Sequence, residues 1–476
     1  MSPRRVLLTL PVVVLAACTL GPDYHRPEVE TPAAWRTPVS DAGEIANLAW
    51  WEQFQDPALS ALVAEAAHNN KDLAIATARV EEAYAQYGIT RAAQLPQVDA
   101  SASAVRERAS ENAGPAPVPG SRAMFSDLST GVSLGYEIDV WGRLRRATES
   151  ARAGLLASEE GRRTVLMTLV SSVASGYVQL RALDRQLAIA RQTSQSLGEA
   201  ARLQRVRFEQ GARPESDYRQ AESQYQAAAA QVPELERQIA RQENFLSVLV
   251  GRNPGPIERG RVIEALAFPA VPTALPSSLL EGRPDIRQAE QNLIAANADI
   301  GVARAAYFPR ISLTAAFGLE STDLADLLKS ASRRGGIGVG ATVPIFNAGR
   351  VRNQVMEAEA LRREQLATYE KSVLTGLQDV ENALADRAKF GEARAVQAKN
   401  VDALTRFRDL AALRYREGAT IYLEVANAEQ SLFNAQLAYV ATQAQLFQSY
   451  ANLYKAIGGG WDAQTDPLAG KLSSHR

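Results

Sequence analysis

Two hydrophobic periods alternate along the chain, and each occurs twice. The first is helical. Leu366, Tyr369, Val373, Leu377, Val380 and Leu384 step by threes and fours. So do Val425, Ala428, Leu432, Ala435 and Tyr439, and then Leu446, Tyr450, Leu453 and Ile457. In the first half Tyr218, Ala221, Tyr225, Ala228, Val232, Leu235 and Ile239 repeat the spacing, followed by Leu246 and Leu249. Apolar seams of this kind predict coiled-coil-like helices, and their alanines allow close approach. The spacing predicts helices over 214–250 and 420–457. Long helices are expected over 143–208 and 350–416, each ~100 Å if continuous at 1.5 Å per residue. Pro233 is expected to kink the helix it falls in.

The second period is two. Val132, Leu134, Tyr136, Ile138 and Val140 alternate with small or polar residues. Ile337, Val339, Ala341, Val343 and Ile345 do the same, as do Ile311, Leu313, Ala315 and Phe317. Val98, Ala100, Ala102 and Ala104 follow more weakly. Strands are therefore expected near 97–106, 131–140, 310–318 and 336–346. Their length and one-sided polarity suit strands that cross an outer membrane. Gly336, Gly338 and Gly340 superficially suggest a nucleotide loop, but no Lys-Ser/Thr follows and apolar residues alternate with them.

The two halves are one unit written twice. Asp72–Ala104 aligns with Asp285–Phe317, which places Arg91, Ala92, Ala93 and Pro96 on Arg304, Ala305, Ala306 and Pro309. Further on, Gly142-Arg143 aligns with Gly349-Arg350, Gly211-Ala212 with Gly418-Ala419, Ala221-Glu222 with Ala428-Glu429, and Gly251 with Gly458. The length difference between the halves falls in a loop rich in Pro, Gly and Ser, residues 110–126.

Four strands cannot close a barrel, and lipid tolerates no open sheet edge. The barrel must be shared between chains. Two chains would supply eight strands, whose lumen side chains largely fill, and three would supply twelve, wide enough for a channel. The fold class is thus an α+β membrane protein built from a duplicated unit of strands and long helical hairpins. Segments 19–57 and 252–280, with Trp35, Trp50, Trp51 and Phe54, are expected to form a mixed equatorial belt with the tail from Trp461. The expected organisation is a signal over 1–17, an anchor and equatorial segment over 18–57, a first repeat over 58–251, a linker over 252–280, a second repeat over 281–458 and a tail over 459–476.

The amino terminus adds an address. Arg4 and Arg5 precede an apolar run, Val6–Ala17, too short to span a bilayer and typical of a secretory signal. Leu15-Ala16-Ala17-Cys18 resembles a bacterial lipobox, in which Cys18 becomes the lipidated first residue. A buried Cys beside an ordinary cleavage site is the plainer alternative. Position 19 is Thr rather than the Asp associated with retention at the inner membrane, so an outer-membrane lipoprotein is expected.

Composition narrows the chemistry. The chain of 476 residues holds one Cys, which excludes a sulfur-ligated zinc domain or disulfide scaffold. With 52 basic and 53 acidic residues, it lacks the basic balance of a nucleic-acid binder. His25, His68 and His475 have no metal-ligand spacing. No catalytic triad, nucleophile motif or cofactor loop stands out. The expectation is a non-enzymatic protein with no cofactor beyond the lipid on Cys18, and no nucleic-acid partner.

Several motifs together resemble the outer membrane factors, and more narrowly the OprM/NodT-type lipoprotein branch of the TolC family. They are the segment from Cys18 through Gly21-Pro22-Asp23-Tyr24 to Arg26-Pro27, then Trp50-Trp51, Phe54 and Asp56-Pro57. Arg283-Pro284-Asp285-Ile286-Arg287, Ala305-Ala306-Tyr307-Phe308-Pro309 and the run from Pro344 to Arg350 complete the set. The resemblance covers Cys18 to about Trp461. It implies a homotrimer with a twelve-stranded barrel in the outer membrane and a long helical barrel in the periplasm. It also implies a periplasmic adaptor and an inner-membrane pump of the RND type as partners, exporting drugs or other small molecules.

For the site, the resemblance implies a periplasmic gate. A polar link near the tip corresponds to Asp217 and Tyr415, and a ring of carboxylates to Glu424 and Asn427. Asn427 stands where many members have Asp, and Thr420 where some have a linking Arg, so less negative charge is expected at the aperture. Three symmetry-related Glu424 side chains remain as one ring. Gly211, Arg213, Gly418 and Thr420 are the expected adaptor contacts. The plainer alternative makes Asp217, Glu424 and Asn427 solvated helix surface, and the glycines αL helix caps. Other functional readings are a duct for metal cations, aromatic acids or type I protein export, and, from another class, a periplasmic coiled-coil adaptor. An adaptor carries one helical hairpin, whereas this chain has two matched ones.

Overall fold

The computed structural model describes residues 19–37, 49–108, 124–270 and 279–459. The elements in chain order are α1 (Pro57–Asn69), α2 (Lys71–Ala92), β1 (Gln97–Arg108), β2 (Met124–Ile138), α3 (Arg143–Glu209) and α4 (Glu215–Leu249). Then follow α5 (Leu279–Gly282), α6 (Pro284–Ala305), β3 (Arg310–Ser321), β4 (Arg333–Thr342), α7 (Arg350–Arg416) and α8 (Tyr422–Ala456). The duplication is visible in the element lengths. α3 and α7 each have 67 residues, α4 and α8 each have 35, and α2 and α6 each have 22. Among the described residues no helix is long and apolar enough to cross a membrane.

The chain forms two compact units. The first gathers residues 19–27, 81–108, 124–157 and 289–369 and contains the whole sheet. Its strands run in the order β1-β2-β3-β4, all neighbours antiparallel and in unbroken register. The register puts Val98, Leu134, Ala315 and Ile337 in one row and Asp99, Ser133, Ala316 and Gly336 in the next. One face is therefore apolar and the other small and polar, as the period of two requires.

Gly131 lies opposite Gly318 across β2 and β3. A Cβ on Gly131 would come within 2.8 Å of the Phe317 carbonyl oxygen, and one on Gly318 within 2.4 Å of that of Thr130. Backbone on both sides leaves no soft neighbour to yield. These two glycines let the strands approach where any side chain would hold them apart.

All four strands depart from the expected bounds, β1 and β3 only by running on to Arg108 and Ser321. β2 starts at Met124 rather than near 131, because the alternation of Met124, Ser126, Leu128 and Thr130 is too weakly apolar to stand out from the loop before it. β4 ends at Thr342 rather than near 346. Pro344 has no N–H to give the ladder, so Val343, Ile345 and Phe346 leave the sheet exposed. α4 runs through Pro233 without ending there.

Residues 19–27 strap the first unit. Leu20 N donates to the Trp141 carbonyl at 3.1 Å. Arg146, almost fully buried, reaches the Asp23 carboxylate at 2.6 Å and the Leu20 carbonyl at 3.2 Å. Arg26 grips Glu290 of α6 with two bonds of 2.7 and 2.6 Å, and the Tyr24 hydroxyl adds a third at 3.1 Å. Paired forks of this kind fix geometry as well as charge.

The second unit comprises residues 28–37, 49–80, 158–270, 279–288 and 370–459, and it holds the aromatic core. Trp50 stacks on Tyr454 at 5.1 Å, Phe54 meets Phe447 at 5.6 Å, and Phe268 stacks on Phe447 at 4.3 Å. The sequence motif around Trp50 and Phe54 is thus a packing device. Buried Asp56 caps α1 through Ala58 N at 2.9 Å and accepts from the Tyr177 hydroxyl at 2.9 Å and Arg261 N at 2.9 Å. Three donors satisfy a carboxylate that burial would otherwise penalise. Cys18, residues 1–17 and the tail from Trp461 lie outside the described residues.

Gly318→Ala is expected to weaken the β2·β3 pairing by roughly 1–3 kcal/mol, the cost of overpacking. Gly135→Ala, whose Cβ meets nothing within 4 Å, serves as the control. Heat-resistant oligomer on gels measures both. Equal behaviour of the two variants would contradict the close-approach argument.

Candidate functional site at the helix turns

All the tip residues singled out from the sequence fall in the second unit, around the turns α3–α4 and α7–α8. The turns are copies of each other. Gly211 has φ +73° and Gly418 φ +75°, in the left-handed region. Ala212 N donates to the Arg207 carbonyl and Ala419 N to that of Arg414, both at 2.8 Å. This is the Schellman closure of a helix C-terminus. Nothing lies within 4 Å of a Cβ on either glycine, so backbone conformation alone demands them. The capping role and exposure at the turn hold together.

Equivalent positions across the repeat are Arg207 and Arg414, Phe208 and Tyr415, Arg213 and Thr420, and Asp217 and Glu424. Their contacts have diverged. In the second turn Arg414 pairs with Glu424 at 2.8 Å, and the Thr420 hydroxyl also binds the Glu424 carboxylate. In the first turn Arg207 instead donates to the Tyr415 hydroxyl at 3.3 Å. Asp217 makes no ion pair or side-chain hydrogen bond among the described residues.

Tyr415 is the hub. Its hydroxyl accepts from the Gln204 side-chain amide at 2.9 Å. The guanidinium groups of Arg213 and Arg207 lie 5.4 and 5.9 Å from its ring centre, and the Tyr422 ring meets it edge-on at 5.5 Å. Cation–π contacts of this kind strengthen when water is excluded, and Tyr415, Gln204 and Tyr422 are all buried. One side chain thus ties α7 to α3, to the first turn and to α8. Burial pushes the Tyr422 hydroxyl up to about 12, with Tyr415, Glu429 and Asp217 adding to the rise. Burial likewise lifts Glu429, which the Arg408 guanidinium 3.9 Å away opposes.

Within the protomer the expected Asp217–Tyr415 link is not formed. Tyr415 meets Gln204 and Arg207, not Asp217. Residues 204 and 207 of α3 sit one turn apart on one face and reach it first, while Asp217 lies in the first turn of α4 near Tyr422. Glu424 is not a free carboxylate, because Arg414 neutralises it, and its side chain is only 27% exposed. Asn427 is exposed and uncharged. Sequence reasoning missed Gln204, Arg207, Arg414 and Tyr422. The repeat offers a signal for two of them, since Arg207 and Arg414 precede matched glycines by the same interval. Among the described residues no group of His, Cys, Asp or Glu is arranged to hold a metal.

A four-stranded sheet with two open edges, paired long hairpins and an aromatic belt define the class. It is an outer-membrane channel in which three chains close a twelve-stranded barrel continued by a helical one. The family model of the outer membrane efflux proteins matches residues 62–252 and 275–459, one match per repeat, and the chain belongs to that family. It is 37% identical over 458 residues to the solvent efflux pump outer membrane protein SrpC of Pseudomonas putida, covering 94% of this chain and 97% of that one. It is 32% identical to the cation efflux system protein CusC of Escherichia coli, covering 97% of this chain and 100% of that one. The crystal structure of the CmeC outer membrane channel of Campylobacter jejuni superposes with a TM-score of 0.89 at 27% identity, over 96% of this chain and 98% of that one. The protein is an outer-membrane efflux channel extending into the periplasm, not an enzyme.

Tyr415→Phe removes the acceptor of two donors and leaves buried Gln204 unsatisfied, a cost of about 1–3 kcal/mol. Single-channel conductance in planar bilayers is expected to rise in Tyr415→Phe, while Asp217→Ala alone is expected to leave it near the wild-type value. Unchanged conductance in Tyr415→Phe would remove Tyr415 from gating.

Proposed function

We propose that the chain is the passive exit duct of a tripartite efflux machine. It receives drugs or other small apolar compounds from an inner-membrane pump of the RND type through a periplasmic adaptor. The observation that carries this reading is the family match over both repeats, together with relatives named as efflux pump outer membrane proteins along nearly their full length. The energy comes from the pump, and the duct contributes a path and a gate. Opening is an iris-like untwisting of the helices that separates Tyr415 from Gln204 and Arg207, biased by the adaptor.

The exposed turns support the adaptor contact. Gly211, Arg213, Gly418 and Thr420 are the docking residues in this reading. On the first hairpin a groove of about 590 Å³, lined by Arg191, Arg202, Arg205, Glu199, Glu222 and Tyr225, offers mixed charge beside an aromatic ring. The likeness to CusC favours cation export as a second reading.

Lipidation of Cys18 belongs to the same proposal. The next residue, Thr19, lies against Gly142, where a Cβ would come within 2.7 Å of the Thr19 methyl group. Gly142 follows β2 by four residues, so the strap brings Thr19 to the foot of the sheet. An acyl anchor there enters the same membrane as the strands, and acyl chains contribute ~0.8 kcal/mol per buried CH₂.

Deletion of the gene is expected to lower resistance to several apolar antibiotics, dyes or detergents, with recovery on complementation. Sensitivity confined to metal salts would establish the cation reading instead, and no change in any compound would sink both. Separately, Cys18→Ala is expected to abolish metabolic labelling with palmitate. Persistent label in that variant would refute the anchor.

A further inference from the structure

We propose that the loop end of the sheet is a binding rim for the phosphate groups of an outer-leaflet glycolipid. The argument starts from the register. Pairing is unbroken across all four strands, so each residue's face is fixed by its position. The apolar face carries Val98, Val132, Leu134, Phe317, Ile337 and Val339, all of them accessible within the sheet. In a membrane channel this face meets lipid.

Along that face no charged residue occurs from the helix end of the strands until their loop end. There the charges are Arg106 and Arg108 of β1 and Arg333 of β4, all exposed. Carboxylates at the same end, Glu107, Asp127 and Glu320, fall on the opposite, lumen face by the same register. Arg334 also falls on the lumen face, where it pairs with Glu320. The sheet therefore sorts charge by side. Anions and their partner face water in the lumen, while cations with no ion pair among the described residues face lipid.

Charge at a lipid boundary is costly unless it reaches water or an anion. Arginine offers a planar fork that fits phosphate with two bonds. The helices α2, α3, α6 and α7 adjoin the sheet in sequence at the other end of its strands, so in an outer-membrane channel the loop end is extracellular. The leaflet there carries phosphorylated glycolipid. Closing the trimer sets the β4 edge of one protomer beside the β1 edge of its neighbour, which brings the basic positions of the two edges together at each seam. The inference rests on the outer-membrane placement and on no exported compound or pump.

The full-length trimer in phosphatidylcholine nanodiscs, doped with bisphosphorylated or phosphate-free lipid A, tests it by native mass spectrometry. Wild type is expected to retain the bisphosphorylated form about tenfold better at low salt, with the preference shrinking as salt rises. Replacing Arg106, Arg108 and Arg333 together by Gln should reduce the preference to within about twofold. Arg334→Gln, at the same end but on the lumen face, should leave it intact. The proposal is overturned if wild type shows no preference, if the triple variant keeps it, or if Arg334→Gln abolishes it. Should the triple variant fail to form heat-resistant trimer, Arg106→Gln and Arg333→Gln are measured singly. A partial loss in either supports the rim, and full retention in both overturns it.

Discussion

Two strand edges, one on β1 and one on β4, carry backbone groups that no strand among the described residues pairs with. Hydrocarbon offers those groups nothing, and each would cost several kcal/mol if left open. Most other features of the sheet answer to this constraint. It demands partner chains, and with them symmetry. It demands an uninterrupted register, since one slipped residue would turn the apolar face inward. It also confines Pro344 and the apolar residues around it to the segment after β4, where the ladder has ended.

The duplication supplies the parts, and the two copies have diverged at their turns. The two helix turns have the same closure, the same glycine and the same preceding arginine. They differ in what that arginine finds. Arg414 neutralises Glu424 inside its own turn, while Arg207 reaches across to Tyr415. One copy has become self-contained and the other a link between hairpins. A repeat free to diverge in this way acquires a contact between hairpins without altering the helices that carry it.

Much of this was legible in the residues. The seam from Leu366 to Leu384 and the alternation from Ile311 to Phe317 declared helix and strand because periods near 3.6 and 2 are imposed by backbone geometry. Gly211 and Gly418 marked the turns because few other residues accept a left-handed backbone. The start of β2 was less legible, since Met124, Ser126 and Thr130 alternate too weakly. The end of β4 was misread by following apolar alternation past Pro344. Gln204 and Tyr422 carried no signal, because nothing about a lone Gln or Tyr on a helix tells which neighbour it will meet.

The sequence by itself determined the duplicated unit, the number of strands and long helices, and the need for more than one chain. Each of these follows from local periodicity, from counting, or from the intolerance of lipid for open edges. Only the tertiary structure decided the partners of the residues at the helix turns. Asp217 and Tyr415 are distant in sequence, and whether they meet depends on the rotation of α3, α4, α7 and α8 about their own axes. That rotation is set by the packing of whole helices, which brings Gln204 rather than Asp217 to the Tyr415 hydroxyl.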